Sequence, residues 1–168
     1  MLAYVFLAGF ASVWWVGGFL YAHKPLPLAL VGGAVSAGVL LAAWLRRKPA
    51  PPVAPAERKR RGRILGGAAT LEGVAIGIVC NLLIANGLAD YLFPAVALIV
   101  GLHFLPMARL LPLPIYYLSA ALLILVAGAG LLVDPGLRPM AVGAASAASL
   151  WLTCLLLLFR RSPEPAAA

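Results

Sequence analysis

Residues 64–89 read ILGGAATLEGVAIGIVCNLLIANGLA, a run in which Glu72 is the only carboxylate. About 20 predominantly apolar residues are enough to cross the hydrocarbon core of a bilayer as an α-helix. A strand of a membrane barrel would instead show roughly ten-residue segments of alternating polarity. Because this run is longer and does not alternate, it predicts a transmembrane helix.

The composition of the whole chain also indicates that the protein lies in a lipid bilayer. Of its 168 residues, 64% are hydrophobic and 11% are charged, whereas soluble domains carry about 25% charged residues. The chain therefore has too little polar surface to cover a water-facing globule. Since only helices and closed barrels satisfy the backbone within a bilayer, we predict an all-α, polytopic membrane protein.

The apolar segments predict six transmembrane helices in a single bundle formed by residues 1–161. Most of the connections are short and contain proline or glycine, which mark turns. The exception is the basic stretch 46–63, which we predict to be an extended loop because its middle is rich in proline and alanine. The tail 162–168 is predicted to be disordered. The predicted helices are 2–22, 26–45, 64–89, 91–108, 113–133 and 137–159.

The net charge of +8 would fit a nucleic-acid ligand, but its distribution favours a membrane topology. Cytoplasmic loops of membrane proteins carry an excess of lysine and arginine, so we place the 46–63 loop and both termini in the cytoplasm. Of the thirteen basic residues, Lys24 and Arg138 alone then fall on the opposite side. The expected partners are the bilayer and its anionic lipids at the loop, not nucleic acid. The residue usage, rich in Ala, Leu, Gly, Arg and Pro, favours a bacterial inner (plasma) membrane.

Glu72 is the polar residue that most needs an explanation. It lies about 13 Å inside the predicted third helix, counted at 1.5 Å per residue from the cytoplasmic end. A charged carboxylate at that depth costs about 2.5–3.5 kcal/mol, and an intramembrane ionisable group is by default a functional-site hypothesis. His103 lies at a similar depth, roughly 9 Å, on the next helix. We therefore predict a Glu72–His103 hydrogen bond or ion pair, with Arg109 as a second partner because its long side chain can reach the interface.

Small residues recur every four positions along the same helix, at Ala69, Gly73 and Gly77, and Asn81 continues the stripe. Small residues at this spacing let two transmembrane helices approach closely. We therefore predict that the stripe is a packing seam and that Asn81 forms a hydrogen bond across it. Glu72 lies about 100° from Gly73 around the helix, which would turn its carboxyl into the bundle.

The sequence predicts no catalytic residue, metal site or cofactor, because no catalytic triad, metal cluster or phosphate-binding loop can be assembled from it. The first function hypothesis is the binding or transport of a small solute or proton through a central polar site. A non-transporting scaffold or regulatory subunit is the alternative, and an intramembrane enzyme using a Glu/His pair for acid–base chemistry is the third. Whether the protein forms homo-oligomers stays open. The stretch VGLHFLPMARLLPLPIYYLSAALLI (100–124) resembles small multi-pass bacterial membrane proteins, a resemblance that implies no particular activity.

Overall fold

The structure is a computed structural model, and it describes residues 2–46, 54–111 and 113–159. The predicted tail 162–168 and the middle of the predicted loop lie outside these residues. Five of the six α-helices are long and apolar enough to cross a membrane, and the described ranges contain no strand. The predicted class, an all-helical polytopic membrane protein, is confirmed. The helices are α1 Leu2–Tyr21, α2 Leu26–Leu45, α3 Pro55–Ala85, α4 Leu92–Leu110, α5 Ile115–Gly130 and α6 Arg138–Phe159, with a 3₁₀ turn at Ala89–Tyr91.

Helix α3 begins nine residues before its predicted start at 64, so the prediction of a loop over 55–63 is wrong. Pro55 occupies the first helical position, where a backbone N–H would have no partner within the helix, so proline loses no hydrogen bond there. Glu57, in the first turn, accepts hydrogen bonds from Arg61 at 2.8 Å and Arg60 at 3.4 Å. Pairs at this spacing stabilise a helix, as does an acid near its N-terminus. The charged residues that suggested a solvated loop thus form the first turns of α3.

The length of α3 matches a bilayer together with its headgroups. Its 31 residues rise about 46 Å, against about 40–45 Å for the hydrocarbon core plus both interfacial layers. With the apolar part from Ile64 onward placed in the hydrocarbon core, the exposed basic residues 58–63 would lie at the level of the headgroups. The helix ends in a left-handed turn at Gly87, whose φ is 71°.

Helix α5 is shorter than the predicted 113–133 and has 16 residues. That corresponds to about 24 Å at 1.5 Å per residue, less than the roughly 30 Å of the hydrocarbon core. After Gly130 the chain does not become extended, because Leu131, Leu132 and Val133 continue with backbone hydrogen bonds to the third residue before each. Such 3₁₀-like bonds add about 2 Å per residue, so the segment through Val133 reaches about 30 Å.

Helices α4, α5 and α6 run in alternating directions side by side. On α4 and α5, a Cβ added at Gly101 would meet Ile124, whereas the ring of Phe104 lies 5.3 Å from that of Tyr116. On α5 and α6, Ser119 bonds to Thr153, and Gly130, further along α5, faces Val142, earlier on α6. In each pair, residues nearer the end of one helix contact residues nearer the start of the other, as expected for antiparallel neighbours.

Helices α1, α2 and α6 continue the same alternation. Gly18 of α1 lies against Pro139 of α6, and the Trp15 ring lies 5.5 Å from that of Trp151. Helix α2 is also antiparallel to α1, as the bonds from Trp15 to Leu28 and from Ser12 to Ser36 show. The start of α1 and the end of α6 therefore lie at the same end of the bundle, as six crossings demand. Its assignment to the cytoplasm remains a prediction from charge.

The core lies among α1, α4, α5 and α6, whereas α3 is peripheral and packs chiefly on α4. Glu72 is the one buried residue of α3. The face around it carries the partly buried side chains that approach the core: Ile64, Leu65, Ala68 and Ile76. Helix α3 thus turns Glu72 and these four side chains toward the bundle, whereas Leu71, Val74 and Ile78 lie on its exposed face.

The predicted packing seam is therefore wrong within this chain. Ala69 is exposed, and a Cβ added to Gly73 or Gly77 would meet nothing within 4 Å. The close helix contact lies elsewhere, where α1 crosses α6. A Cβ on Gly18 would lie 2.6 Å from the carbonyl oxygen of Pro139, and one on Gly143 would lie 2.6 Å from that of Trp14. Because those neighbours are backbone atoms, only glycine fits this crossing.

Candidate functional site

The structure brings Glu72 and His103 together between α3 and α4. Glu72 Oε2 lies 3.7 Å from His103 Nε2, and the two side chains are 8% and 15% exposed. Hydrogen bonds between nitrogen and oxygen are typically 2.7–3.2 Å long. The pair is therefore an ion-pair-distance contact without a direct hydrogen bond. His103 also lies edge-on to Phe104, with ring centroids 6.2 Å apart.

The second oxygen of the carboxyl makes this contact unusual. Glu72 Oε1 is buried and has no hydrogen-bond partner among the described residues. Most buried polar atoms in proteins are hydrogen-bonded, so an unpaired one needs an explanation, such as catalysis, strain or an additional ligand. A carboxyl group can accept hydrogen bonds at both oxygens when ionised and can donate one when protonated. Glu72 Oε1 is thus a buried hydrogen-bonding atom that no group in the described residues satisfies.

The surroundings of this position are apolar. The neighbouring turns of α3 contribute Ala68 and Ile76 to the packed face. His103 is the only basic side chain with a nitrogen within 4.0 Å of a Glu72 carboxyl oxygen in the described ranges. The pair sits at the edge of the bundle and not at its centre, because α3 packs chiefly on α4. The expectation of a central polar site is corrected accordingly to an interface between two helices.

The other two predicted site residues lie elsewhere. Asn81 is exposed and donates from Nδ2 to the carbonyl oxygen of Gly77 on its own helix, at 2.7 Å. Arg109 is exposed in the last turn of α4, and no carboxylate of the described residues lies within 4.0 Å of it. The long side chain that suggested a second partner for Glu72 instead lines a separate groove on the outside of α4.

Sequence reasoning missed a polar contact that joins three helices at Ser36. Its hydroxyl donates to the carbonyl oxygen of Ala8 at 2.8 Å and accepts bonds from Ser12 at 2.7 Å and Trp151 at 2.9 Å. Ser36 is 4% exposed, and its bonds are all made, so this contact connects α1, α2 and α6 structurally. A serine in the Gly/Ala-rich α2 gave no hint of its three partners.

A second missed contact is the guanidinium of Arg138, which is 5% exposed. It donates to the carbonyl oxygens of Gly130, Val133 and Asp90 and lies 5.0 Å from the centre of the Tyr91 ring. The C-terminal carbonyls of a helix attract cations. Arg138 therefore connects the end of α5 to the starts of α4 and α6. The sequence had marked it only as a basic residue on the non-cytoplasmic side.

Helix α6 places hydroxyls on its buried face, but most of them are satisfied locally. Ser149 donates to the carbonyl of Ala145, and Thr153 donates to that of Ser149 and bonds to Ser119 at 2.9 Å. Ser146 is fully buried, and its hydroxyl, like Glu72 Oε1, has no partner in the described part of the chain.

The described residues contain no group of three or more His, Cys, Asp or Glu side chains placed to hold one metal ion. Comparison with protein-family models, curated proteins and solved structures finds no match to this chain. The fold and composition define the class: a polytopic helical membrane protein with a buried, incompletely bonded carboxyl between two of its helices.

Proposed function

We propose that this protein binds a proton or a small cationic hydrogen-bond donor at Glu72 and moves it through the bilayer. The observation that carries the proposal is the buried Glu72 Oε1 without a partner. An ionised carboxylate near mid-bilayer costs about 2.5–3.5 kcal/mol. A proton removes that charge, and a cationic donor compensates it while filling the unpaired position.

His103 is the natural exchange partner for Glu72 in this proposal. An imidazole nitrogen accepts a proton in its neutral form and donates one when charged. The separation of 3.7 Å exceeds a hydrogen bond by less than about 1 Å, so a small side-chain movement is enough for direct transfer. A bound donor or a water molecule can also connect the two groups. The bacterial inner membrane is part of this proposal, supported by the basic bias towards one side.

The experiment is proton uptake by purified protein in liposomes that contain a pH-sensitive dye. An imposed pH gradient is applied with potassium and valinomycin to dissipate membrane potential. We expect Glu72→Gln and His103→Gln to reduce uptake to the rate of protein-free vesicles. The matched controls are Glu57→Gln, a partly exposed carboxyl in the first turn of the same helix, and His23→Gln, an exposed imidazole in a turn.

The result that contradicts proton transport is equal uptake by the wild-type protein and Glu72→Gln. If neither conducts protons, the same vesicles are tested with small organic cations as the solute. Absence of flux for protons and cations alike removes the transport proposal.

A second candidate function is a non-transporting scaffold or regulatory subunit, favoured by the exposed outer face of α3. That face is apolar around Leu71, Val74 and Ile78, which are 71%, 53% and 57% exposed. The basic start of the same helix favours anionic headgroups, at about 1 kcal/mol per basic residue near the surface. Cysteine crosslinking in native membranes at Gly73 and Gly77 would capture a partner helix or a second copy. The absence of any crosslink there leaves lipid as the occupant of this face and contradicts the scaffold role.

A further inference from the structure

A surface groove between α4 and α5 is independent of the Glu72 site. It is a shallow, open groove of about 540 Å³, lined by Leu105, Pro106, Arg109 and Tyr117. Small-molecule sites typically measure about 300–1,000 Å³. Leu105 is 37% exposed, Tyr117 is 44% exposed, and Pro106 and Arg109 are also exposed. The groove is therefore open to whatever surrounds the bundle at this level.

The polarity of the groove changes along the helix axis. Arg109 is in the last turn of α4, and Leu105 lies one turn deeper, about 6 Å away along the axis. Tyr117, near the start of α5, is the second polar-tipped side chain that lines the groove. Tyrosine and arginine are typical of membrane interfaces, where one end of a side chain is apolar and the other is polar. The groove thus has a cationic upper end and an apolar lower end.

The apolar end continues into the bilayer. Leu102, a turn below Pro106, is 49% exposed, and Leu118, beside Tyr117, is 36% exposed. An occupant must therefore be anionic where it meets Arg109 and hydrocarbon where it meets the leucines. A soluble phosphate fits only the first requirement, and a neutral lipid tail fits only the second.

We propose that this groove binds one anionic phospholipid, with its phosphate against Arg109 and Tyr117 and an acyl chain along Leu105 and Pro106. Basic pockets between transmembrane helices on the cytoplasmic side recognise anionic headgroups. Arginine suits this role because its planar guanidinium donates two parallel hydrogen bonds to a phosphate. The lipid would fill the angle between α4 and α5 without touching the Glu72–His103 pair, so this inference does not depend on the proposed transport.

The test uses the full-length protein in nanodiscs that contain phosphatidylglycerol and phosphatidylcholine in equal amounts. Native mass spectrometry then counts the lipids of each kind that stay bound. The wild-type protein is expected to retain one phosphatidylglycerol preferentially. Arg109→Gln should lower that preference about fivefold, equivalent to about 1 kcal/mol for one basic residue. Leu105→Trp, which narrows the apolar end of the groove and leaves the charge, should also lower the preference.

The matched control is Arg63→Gln, an exposed arginine in the basic part of α3. This variant should keep the retained lipid. Equal retention by wild type and Arg109→Gln overturns the proposal. An equal loss in Arg63→Gln and Arg109→Gln also overturns it, because it shows a diffuse attraction to basic residues and no site. Loss in Arg109→Gln but not in Leu105→Trp leaves a headgroup contact only and refutes the groove.

Discussion

Replacing Glu72 with leucine should stabilise the protein, although it removes an ion-pair-distance contact. The buried Oε1 atom has no partner in the described residues, and an unsatisfied buried polar group costs about 1–3 kcal/mol. What leucine removes is the contact to His103 at 3.7 Å. Polar contacts between transmembrane helices average about 0.6 kcal/mol in double-mutant cycles. The difference predicts a gain of about 1–2 kcal/mol in the free energy of unfolding.

The assay is reversible unfolding in bicelles by titration with SDS, followed by circular dichroism and tryptophan fluorescence. Thr70→Leu is the control, since Thr70 is exposed on the same helix and bonds only to its own backbone. It reports how much a more apolar α3 contributes by itself. If Glu72→Leu loses 1 kcal/mol or more relative to that control, the carboxyl holds α3 against α4. Glu72 would then be a net stabilising residue, contrary to the prediction.

Three further predictions concern the contacts that hold the bundle together. Ser36→Ala should cost about 1–3 kcal/mol because it removes three interhelical hydrogen bonds and leaves the partly buried Trp151 N–H without its acceptor. Ser149→Ala, which loses a bond within its own helix, should be nearly neutral. Parallel SDS unfolding curves compare the two variants. Gly143→Ala should lower the free energy of unfolding by about 1–3 kcal/mol because the added methyl group overpacks against α1. Gly77→Ala should not destabilise the protein. Equal SDS unfolding midpoints for the two variants would contradict the assigned α1–α6 crossing. Arg138→Gln should lower the free energy of unfolding by about 2–4 kcal/mol, since hydrogen bonds from a charged donor contribute about 1.5–3 kcal/mol each. Hydrogen exchange at the end of α5 should rise in this variant. Unchanged exchange there would show that Arg138 does not hold the end of α5.

The number and approximate positions of the helices could be predicted because a bilayer requires apolar runs of a certain length. The Glu72–His103 contact could also be predicted, because counting residues from the same membrane boundary gives depth on both helices of a hairpin. These properties depend on position along the chain and on the solvent. They do not require knowledge of which face of a helix meets which neighbour.

The face of each helix that packs against the bundle could not be predicted. These helices are apolar on all sides and carry no polar stripe that would mark the outer face. Gly73 and Gly77 have the right spacing for close packing, yet they face away from the bundle. Gly18 and Gly143 lie far apart in the chain, and their contact depends on how α1 and α6 meet. The start of α3 was missed for another reason. Basic residues next to prolines suggest a loop, but the pairs of Glu57 with Arg60 and Arg61 stabilise a helix there.

Whether Glu72 exchanges a proton inside the membrane can be measured directly by infrared difference spectroscopy of the protein in lipid bilayers. Spectra are recorded at acid and alkaline pH and subtracted. We expect a protonated-carboxyl band that is absent in Glu72→Gln, shifted in His103→Gln and unchanged in Glu57→Gln. If Glu72→Gln gives the same difference spectrum as the wild-type protein, this carboxyl does not exchange a proton, and the proposed site is not the functional one.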